Sequence, residues 1–179
     1  SLASALESLG QEAVVDAREA QRRESDHLDD VVLHLRGLDE YIPSYSALSY
    51  LWVISHPDMV TRAEAQRFDR IFAASLSWSA QQSERWGLPV EALLQCTDPE
   101  RFHPGEAETS SSKRGPLFVG NSRGIPRPTV MESVRAGLPL ELYGGDWERF
   151  VPAAAISGER VDNTELGHLY SSASVVLND

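Results

Sequence analysis

The chain has 179 residues, of which 41% are hydrophobic and 24% charged, and its formal net charge is −11. This acidity argues against general nucleic-acid binding, because neutralising phosphates requires a basic surface, although a local anion site made by a few arginines is still allowed. The sequence has a single cysteine, Cys96, no apolar run near the roughly 18 residues of a membrane span and no signal-peptide pattern, so we expect a cytoplasmic protein without disulfides or thiolate zinc sites.

Helical and strand patterns alternate along the first half of the chain. Leu2, Leu6 and Leu9 have helical spacing and Gly10 ends that helix; a second helix begins at the Thr61–Glu64 capping box. A third helix is predicted at residues 77–86. Strands are predicted at residues 13–15, 31–35, 51–54, 71–74 and 92–94. Apolar strands separated by helices favour a parallel sheet.

The second half repeats this alternation after a polar stretch without apolar periodicity. Strands are predicted at residues 117–119, 140–143 and 175–177, with helices at residues 129–136 and, capped by Asn163, at residues 163–170. We therefore predict an α/β chain with one Rossmann-like domain at residues 1–104, a linker at 105–115 and a second Rossmann-like domain at 116–179.

Both predicted domains are expected to be incomplete. The sequence begins inside a helix with no strand before it, and it stops directly after a buried-type strand. We expect the first domain to lack its first strand and the second to be only the first part of a larger unit.

Ligands of parallel α/β sheets bind at the carboxyl ends of the strands, so the residues that follow each strand are the candidates. His56 follows the strand at residues 51–54, where an imidazole can hydrogen-bond a hydroxyl or polarise an oxygen near neutral pH. A purely structural role, capping or packing at the Pro57 turn, is the alternative. Other residues in such positions are possible cleft-lining residues, namely Asp58, Gly144 and Gly145. The turn Gly144-Gly145-Asp146 could approach a ligand, although a tight strand-to-loop turn explains it equally well.

Residues 120–127 could hold a phosphate. Gly120 allows close backbone approach, Arg123 and Arg127 supply guanidinium donors, and a helix start follows at Pro128. Asn121 and Ser122 lie between them and belong to the same candidate site. The stretch lacks the ending of a P-loop and the G-x-G-x-x-G fingerprint, and a solvent-facing basic turn is the alternative. The histidines show no metal-ligand spacing with carboxylates, so no metal site is predicted.

Five motifs together resemble a known family. They are YLWVISHPD at residues 50–58, FDRIFAAS at 68–75, LLQCTDPERFHP at 93–104, PLFVGNSRGIPR at 116–127 and ELGHLYSSASVVLND at 165–179. The set resembles the GT-B glycosyltransferases, in particular the bacterial group called spore-maturation-protein-like or family 4-like. The resemblance covers nearly the whole chain and implies two Rossmann-like domains that face each other across a cleft.

The resemblance also implies an activity. Such enzymes move a sugar, here as a retaining hexosyltransferase, from a nucleoside diphosphate donor to a hydroxyl acceptor without a metal or other cofactor. His56 would line the donor-sugar pocket and Gly120 would be the turn glycine. Asn121 stands where the family often has an arginine, so either Arg123 or Arg127 would hold the diphosphate. The acidic motif that holds the donor in this family would lie beyond residue 179.

Two other functions remain open at this point. One is a non-catalytic nucleotide-sensing or protein-interaction module on the same fold, which the missing acidic motif favours. The other is a sugar-nucleotide epimerase, although the sequence offers no dedicated pair of acid and base carboxylates.

Overall fold

A computed structural model describes residues 2–16, 23–43, 46–103 and 114–178 of the chain. They divide into two compact units, Ser1–Thr97 and Asp98–Asp179, which we describe separately as unit 1 and unit 2. Most of the predicted linker, residues 105–115, lies outside the described residues. Residues 98–103 belong to unit 2.

Unit 1 is built on one parallel sheet. Its elements in chain order are α1 (Leu2–Ser8), β1 (Val31–Arg36), β2 (Leu48–Val53), α2 (Arg62–Ala65), β3 (Arg70–Ala73), α3 (Leu76–Trp86) and β4 (Val90–Ala92). The spatial order β1-β2-β3-β4 follows the chain, and every neighbouring pair is parallel. The predicted parallel α/β architecture is confirmed for this unit.

One face of the unit 1 sheet carries the core. Leu51, Val53, Ile71 and Ala73 alternate along β2 and β3, so they share a face, and they are buried in one cluster with residues of α2 and α3 such as Ala65 and Trp86. The predicted cap at Thr61 is confirmed. Thr61 accepts a hydrogen bond from Glu64 N, Ser75 accepts one from Trp78 N, and Gly87 ends α3 with φ +64°.

A buried ion pair ties β1 to α2. Arg36 and Glu64 are 2% and 1% exposed, and Arg36 donates from Nε to Glu64 Oε1 over 2.7 Å and from a terminal nitrogen to Oε2 over 3.2 Å. A further hydrogen bond of 2.6 Å joins the guanidinium to the carbonyl oxygen of Gly37. The two-point contact fixes α2 over the end of β1.

Two details of unit 1 differ from the sequence prediction. The predicted strand at residues 13–15 is wrong: residues 11–16 have no regular structure, and Val14 and Val15 are 60% and 78% exposed. A short β-branched run becomes a strand only where a neighbouring strand pairs with it. The fourth strand lies at Val90–Ala92 instead of residues 92–94.

Unit 2 contains a second parallel sheet. Its elements are β5 (Leu117–Val119), α4 (Pro128–Arg135), β6 (Glu141–Tyr143), β7 (Ile156–Gly158) and α5 (Leu166–Ser172), with the spatial order β5-β6-β7. The sequence did not predict β7, because Ile156 is its only large apolar residue.

The predicted Asn163 cap is wrong as well. The N-cap residue of α5 is Glu165, and Asp162 instead accepts hydrogen bonds from Thr164, which lower the pKa of its carboxyl.

The predicted strand at residues 175–177 pairs with the free side of β5. Leu117 donates to Val175 O over 2.9 Å and accepts from Leu177 N over 2.8 Å, in a parallel bridge to Val176. On its other side β5 bonds to β6, where Gly120 N donates to Tyr143 O over 2.8 Å. The chain therefore winds from β5 outward through β6 to β7, then returns to the opposite side of β5.

The two helices of unit 2 cover opposite faces of the sheet. Phe118 shares a buried cluster with Val130 of α4, whereas its neighbour Leu117 shares one with Leu169 of α5. A sheet covered on both faces, with a reversal of winding direction at β5, is compatible with the doubly wound arrangement of Rossmann-like folds.

Residues 98–103 lie against α5 within unit 2. The Arg101 guanidinium donates to Asn163 O, and the Phe102 and Tyr170 rings are 6.1 Å apart between centroids. Gly167 leaves the space for this contact, because a Cβ there would lie 2.7 Å from Arg101 O.

Within the described ranges, no helix has both the length and the apolar character needed to cross a membrane.

The Arg36–Glu64 pair yields a stability prediction. Glu64→Gln leaves the Arg36 charge buried without its counter-ion and should lower the free energy of unfolding by about 3–5 kcal/mol, measured by urea denaturation. The matched control is Glu91→Gln, which breaks the 2.7 Å ion pair between the half-exposed side chains of Arg70 and Glu91. This variant should leave the urea midpoint of unfolding nearly unchanged. Equal effects of the two variants would contradict the role assigned to the buried pair.

Candidate functional site

The carboxyl ends of β5 and β6 lie side by side in unit 2, and a loop follows each of them. The β5 loop comprises residues 120–127 and leads into α4; the β6 loop comprises residues 144–147. Since β5 and β6 are parallel neighbours, both loops emerge at one edge of the sheet. The winding reversal at β5 makes this edge the expected ligand site of a doubly wound fold.

Hydrogen bonds join the two loops directly. Gly145 N donates to Asn121 Oδ1 over 2.8 Å, and Ser122 N donates to Gly145 O over 3.0 Å. Ser122 is 0% exposed, and its hydroxyl donates to Ile125 O over 3.0 Å. The Asn121 side chain thus links the two loops, and the Ser122 side chain stabilises the β5 loop internally.

Gly144 allows the loops to touch. Its φ is +143°, and a Cβ there would overlap the carbonyl oxygen of Gly120 and lie 2.5 Å from the carbonyl carbon. Only glycine satisfies both conditions. Gly144, predicted to line a cleft, is buried against the backbone of Gly120.

Trp147 anchors the same contact. Its indole is 0% exposed and donates from Nε1 to Gly120 O over 2.8 Å. The indole ring also meets Phe118 edge to face, with ring centroids 5.6 Å apart. A buried aromatic whose polar atom holds the loop backbone gives the edge a fixed shape.

Two charged residues project from this fixed edge. Arg123 and Asp146 are exposed and have left-handed backbones with φ 56° and 65°. Their side chains form no hydrogen bond or ion pair with any other residue that the structure describes. Arg127 differs, since it is half-buried and occupies the N-cap position of α4. The edge therefore offers one exposed guanidinium and one exposed carboxylate on neighbouring loops.

In unit 1, His56 lies just beyond the carboxyl end of β2. It is exposed, its φ is +48°, and its Nδ1 is 3.1 Å from Ser55 Oγ. It precedes the 3-10 turn Pro57–Met59, in which Asp58 is also exposed. Non-glycine residues in left-handed conformations cluster at functional sites, so the strained backbone of His56 is compatible with a functional role.

A cavity of about 220 Å³ lies beside His56 at the same edge of the unit 1 sheet. Its lining includes Ser55, Pro57, Ser75 and Trp78, from the ends of β2 and β3 and the start of α3. The residues on either side of His56 thus line the cavity, but His56 itself is not among the lining residues.

The remaining histidines have other surroundings. His34 packs against the rings of Tyr41 and Phe68, each 5.3 Å away between centroids, and burial lowers the pKa of its imidazole. Among the residues that the structure describes, no three His, Cys, Asp or Glu side chains are grouped as metal ligands.

Sequence reasoning missed Trp147 as a part of the candidate site, whereas it included Asp146 with Gly144 and Gly145 in a turn that could approach a ligand. Asp146 follows two glycines at a strand end, which is a signal for a tight turn, but its left-handed backbone is visible only in the structure. From the sequence alone, Trp147 is most simply interpreted as a packing residue of the core or cleft, because nothing in the sequence links its indole to Gly120.

Comparison with protein-family models, with curated proteins and with solved structures found no match to the chain. The two units are accordingly defined by their own geometry as parallel α/β units.

The contact between the two loops gives a second stability prediction. Gly144→Ala forces a Cβ into the Gly120 backbone at a positive φ and should lower the free energy of unfolding by about 3 kcal/mol or more. Gly124→Ala is the control, because Gly124 has φ +72° but open space around its Cβ position. That variant should cost about 1 kcal/mol, from the backbone alone. A Gly144 variant no less stable than the Gly124 variant would refute the close contact.

Proposed function

We propose that the chain is part of a glycosyltransferase that moves a sugar from a nucleoside diphosphate donor to a hydroxyl acceptor. In this proposal, unit 2 binds the donor through its diphosphate, and the resemblance to GT-B enzymes assigns His56 of unit 1 a role at a sugar hydroxyl. The observation that carries the proposal is the winding reversal at β5, with the β5 and β6 loops at the carboxyl edge. The five motifs that resemble GT-B enzymes add the reaction class.

Arg123 is the residue we assign to the diphosphate. It is exposed and carries no internal ion pair among the described residues, so its guanidinium is available for a bidentate phosphate contact. α4 begins just after the same loop and directs the positive end of its dipole toward it. These groups would offset the charge that develops on a diphosphate leaving group.

His56 is assigned a role at the sugar. An exposed imidazole near neutral pH can hydrogen-bond a sugar hydroxyl or exchange a proton with it. The neighbouring cavity has Ser55 and Ser75 among its lining residues, and we assign it to a small hydroxylated ligand. The alternative is a module that binds nucleotides without catalysis, and donor hydrolysis distinguishes it from a transferase.

Calorimetry tests the proposal as a whole. The chain is titrated with UDP, GDP, ADP and inorganic pyrophosphate, and donor hydrolysis is followed as release of nucleoside diphosphate from the corresponding sugars. Binding of at least one nucleoside diphosphate together with slow hydrolysis supports the transferase. Binding without hydrolysis supports the non-catalytic module, and absence of binding to every probe contradicts the proposal.

The diphosphate assignment predicts a loss of affinity in Arg123→Ala. Removal of a charged hydrogen bond should weaken binding of the best nucleoside diphosphate by about 1.5–3 kcal/mol, measured by calorimetry. The control is Arg135→Ala, since Arg135 is exposed at the far end of α4 and pairs with Glu132. Affinity unchanged in Arg123→Ala but reduced in Arg127→Ala would move the phosphate contact to Arg127.

The sugar assignment predicts a loss of turnover in His56→Asn. Asparagine tolerates the left-handed backbone, so the fold should persist, while donor hydrolysis should fall by about 100-fold or more. Diphosphate affinity and thermal midpoint should stay at their original values. The exposed His27, replaced by Asn, is the control. A large drop in the thermal midpoint of His56→Asn would instead indicate a structural role.

A further inference from the structure

One face of the unit 1 sheet is apolar and is left open by the residues that the structure describes. Residues of β1 and β2 that alternate with the core positions are paired in register and share the face opposite to Leu51. All of them are large and apolar, namely Val31, Leu33, Leu35, Leu48, Tyr50 and Trp52. Val31, Leu35 and Leu48 are 46%, 44% and 50% exposed. Parallel sheets are almost always covered on both faces, so an open face of this kind marks an interaction surface.

The connections between the strands explain why this face is open. β1, β2, β3 and β4 follow one another in space as they do in the chain, and crossovers between parallel strands are right-handed, so the connecting helices lie on one face. α2 and α3 accordingly pack on the face of Leu51. α1, which precedes β1, buries none of its residues. Cover for the second face must therefore come from outside the run from β1 to β4.

The size of the open face indicates a single helix as its occupant. β1 and β2 have six residues each, so they are about 20 Å long, and with strands roughly 5 Å apart the open area across three strands is about 300 Å². A stable interface between two copies of a chain needs about 800 Å² on each copy. A helix of about 13 residues matches the length of the strands. α1 has seven residues and therefore only about half this length.

The charges at one end of the open face favour a basic helix. At the amino ends of the strands, Asp30 and Asp69 are exposed and line a cavity together with Leu48 of the open face. Neither carboxylate has a cationic partner in the described part of the chain. The other charged residues of this cavity are paired, Arg67 with Glu40 and Asp29 with Arg23. The net charge of −11 on the whole chain acts in the same direction.

We propose that the open face of the unit 1 sheet binds an amphipathic, basic α-helix of another protein. The apolar stripe of that helix lies along β1 and β2, and its lysine or arginine side chains reach Asp30 and Asp69. α1 fits this surface poorly, because it is too short and its one charged residue is Glu7. The inference is independent of the proposed function, since it concerns a face of the sheet and not the carboxyl edge.

A synthetic peptide tests the docking surface on the full chain. The probe is a helix of about 13 residues with leucines along one side and lysines along the other. Calorimetry should give a dissociation constant of about 100 µM or tighter. The largest amide chemical-shift changes should fall on residues 31–35 and 48–52.

Two matched peptides test the two features of the surface separately. One has glutamates in place of the lysines, and the other has the original composition in a scrambled order that destroys the apolar stripe. Each should bind about tenfold or more weakly than the original peptide. Equal affinity of either matched peptide, or shifts centred outside residues 31–35 and 48–52, overturns the inference.

Variants of the chain locate the contact. Leu35→Lys should weaken binding of the leucine–lysine peptide by about tenfold or more, because it removes apolar contact and adds a like charge. Leu138→Lys is the control, since Leu138 is 48% exposed in unit 2. Asp30→Asn should weaken binding by about twofold to fivefold, whereas Asp58→Asn, which changes an exposed carboxylate beyond the carboxyl end of β2, should have no effect. Unchanged affinity in both Leu35→Lys and Asp30→Asn overturns the inference.

Two further measurements distinguish the other occupants. Sedimentation at the concentration used for calorimetry should show a monomer, and a dimer that Leu35→Lys dissociates would assign the face to a second copy and overturn the inference. Leu6→Gln in α1 should leave peptide affinity unchanged. A gain of about threefold or more would show that α1 occupies the face, which also overturns the inference. The diphosphate titrations do not depend on any of these outcomes, so the proposed function stands or falls separately.

Discussion

The close approach of Gly144 to the Gly120 carbonyl is the constraint on which the candidate site depends. It brings the loop after β6 against the loop after β5, and the hydrogen bond from Trp147 to Gly120 holds that position. The residues that make these contacts are buried or internally bonded. Arg123 and Asp146 are thereby left exposed on a fixed frame. Rigid support of this kind is what precise ligand contacts require.

The two units stabilise their sheets differently. Unit 2 covers both faces, with α4 against Phe118 and α5 against Leu117. In unit 1 the buried cluster joins α2 and α3 to a single face, and the two-point pair of Arg36 and Glu64 fixes α2 beside the end of β1. In both units the elements that carry buried contacts also position the loops at the carboxyl edge.

Much of the fold could be predicted from the sequence because buried parallel strands are continuous apolar runs and glycines mark the helix ends. β7 could not be predicted, because its pairing with β6, and not its side-chain pattern, makes it a strand. Val14 and Val15 have the side-chain pattern of a strand, but they are exposed and pair with no strand that the structure describes, so the prediction there is wrong. At the site, the sequence indicated residues 120–127 and His56. It could not reveal that Ser122 points inward or that Arg123 and Asp146 are left-handed, because these depend on contacts between loops.

Amide chemical-shift mapping of the isotope-labelled chain during titration with a nucleoside diphosphate tests the central claim most directly. The account predicts that the largest shifts fall on residues 120–124 and 145–147, at the joined loops of unit 2. Shifts centred instead on unit 1, around the cavity that Asp30, Arg67 and Asp69 line at the amino ends of its strands, would contradict it.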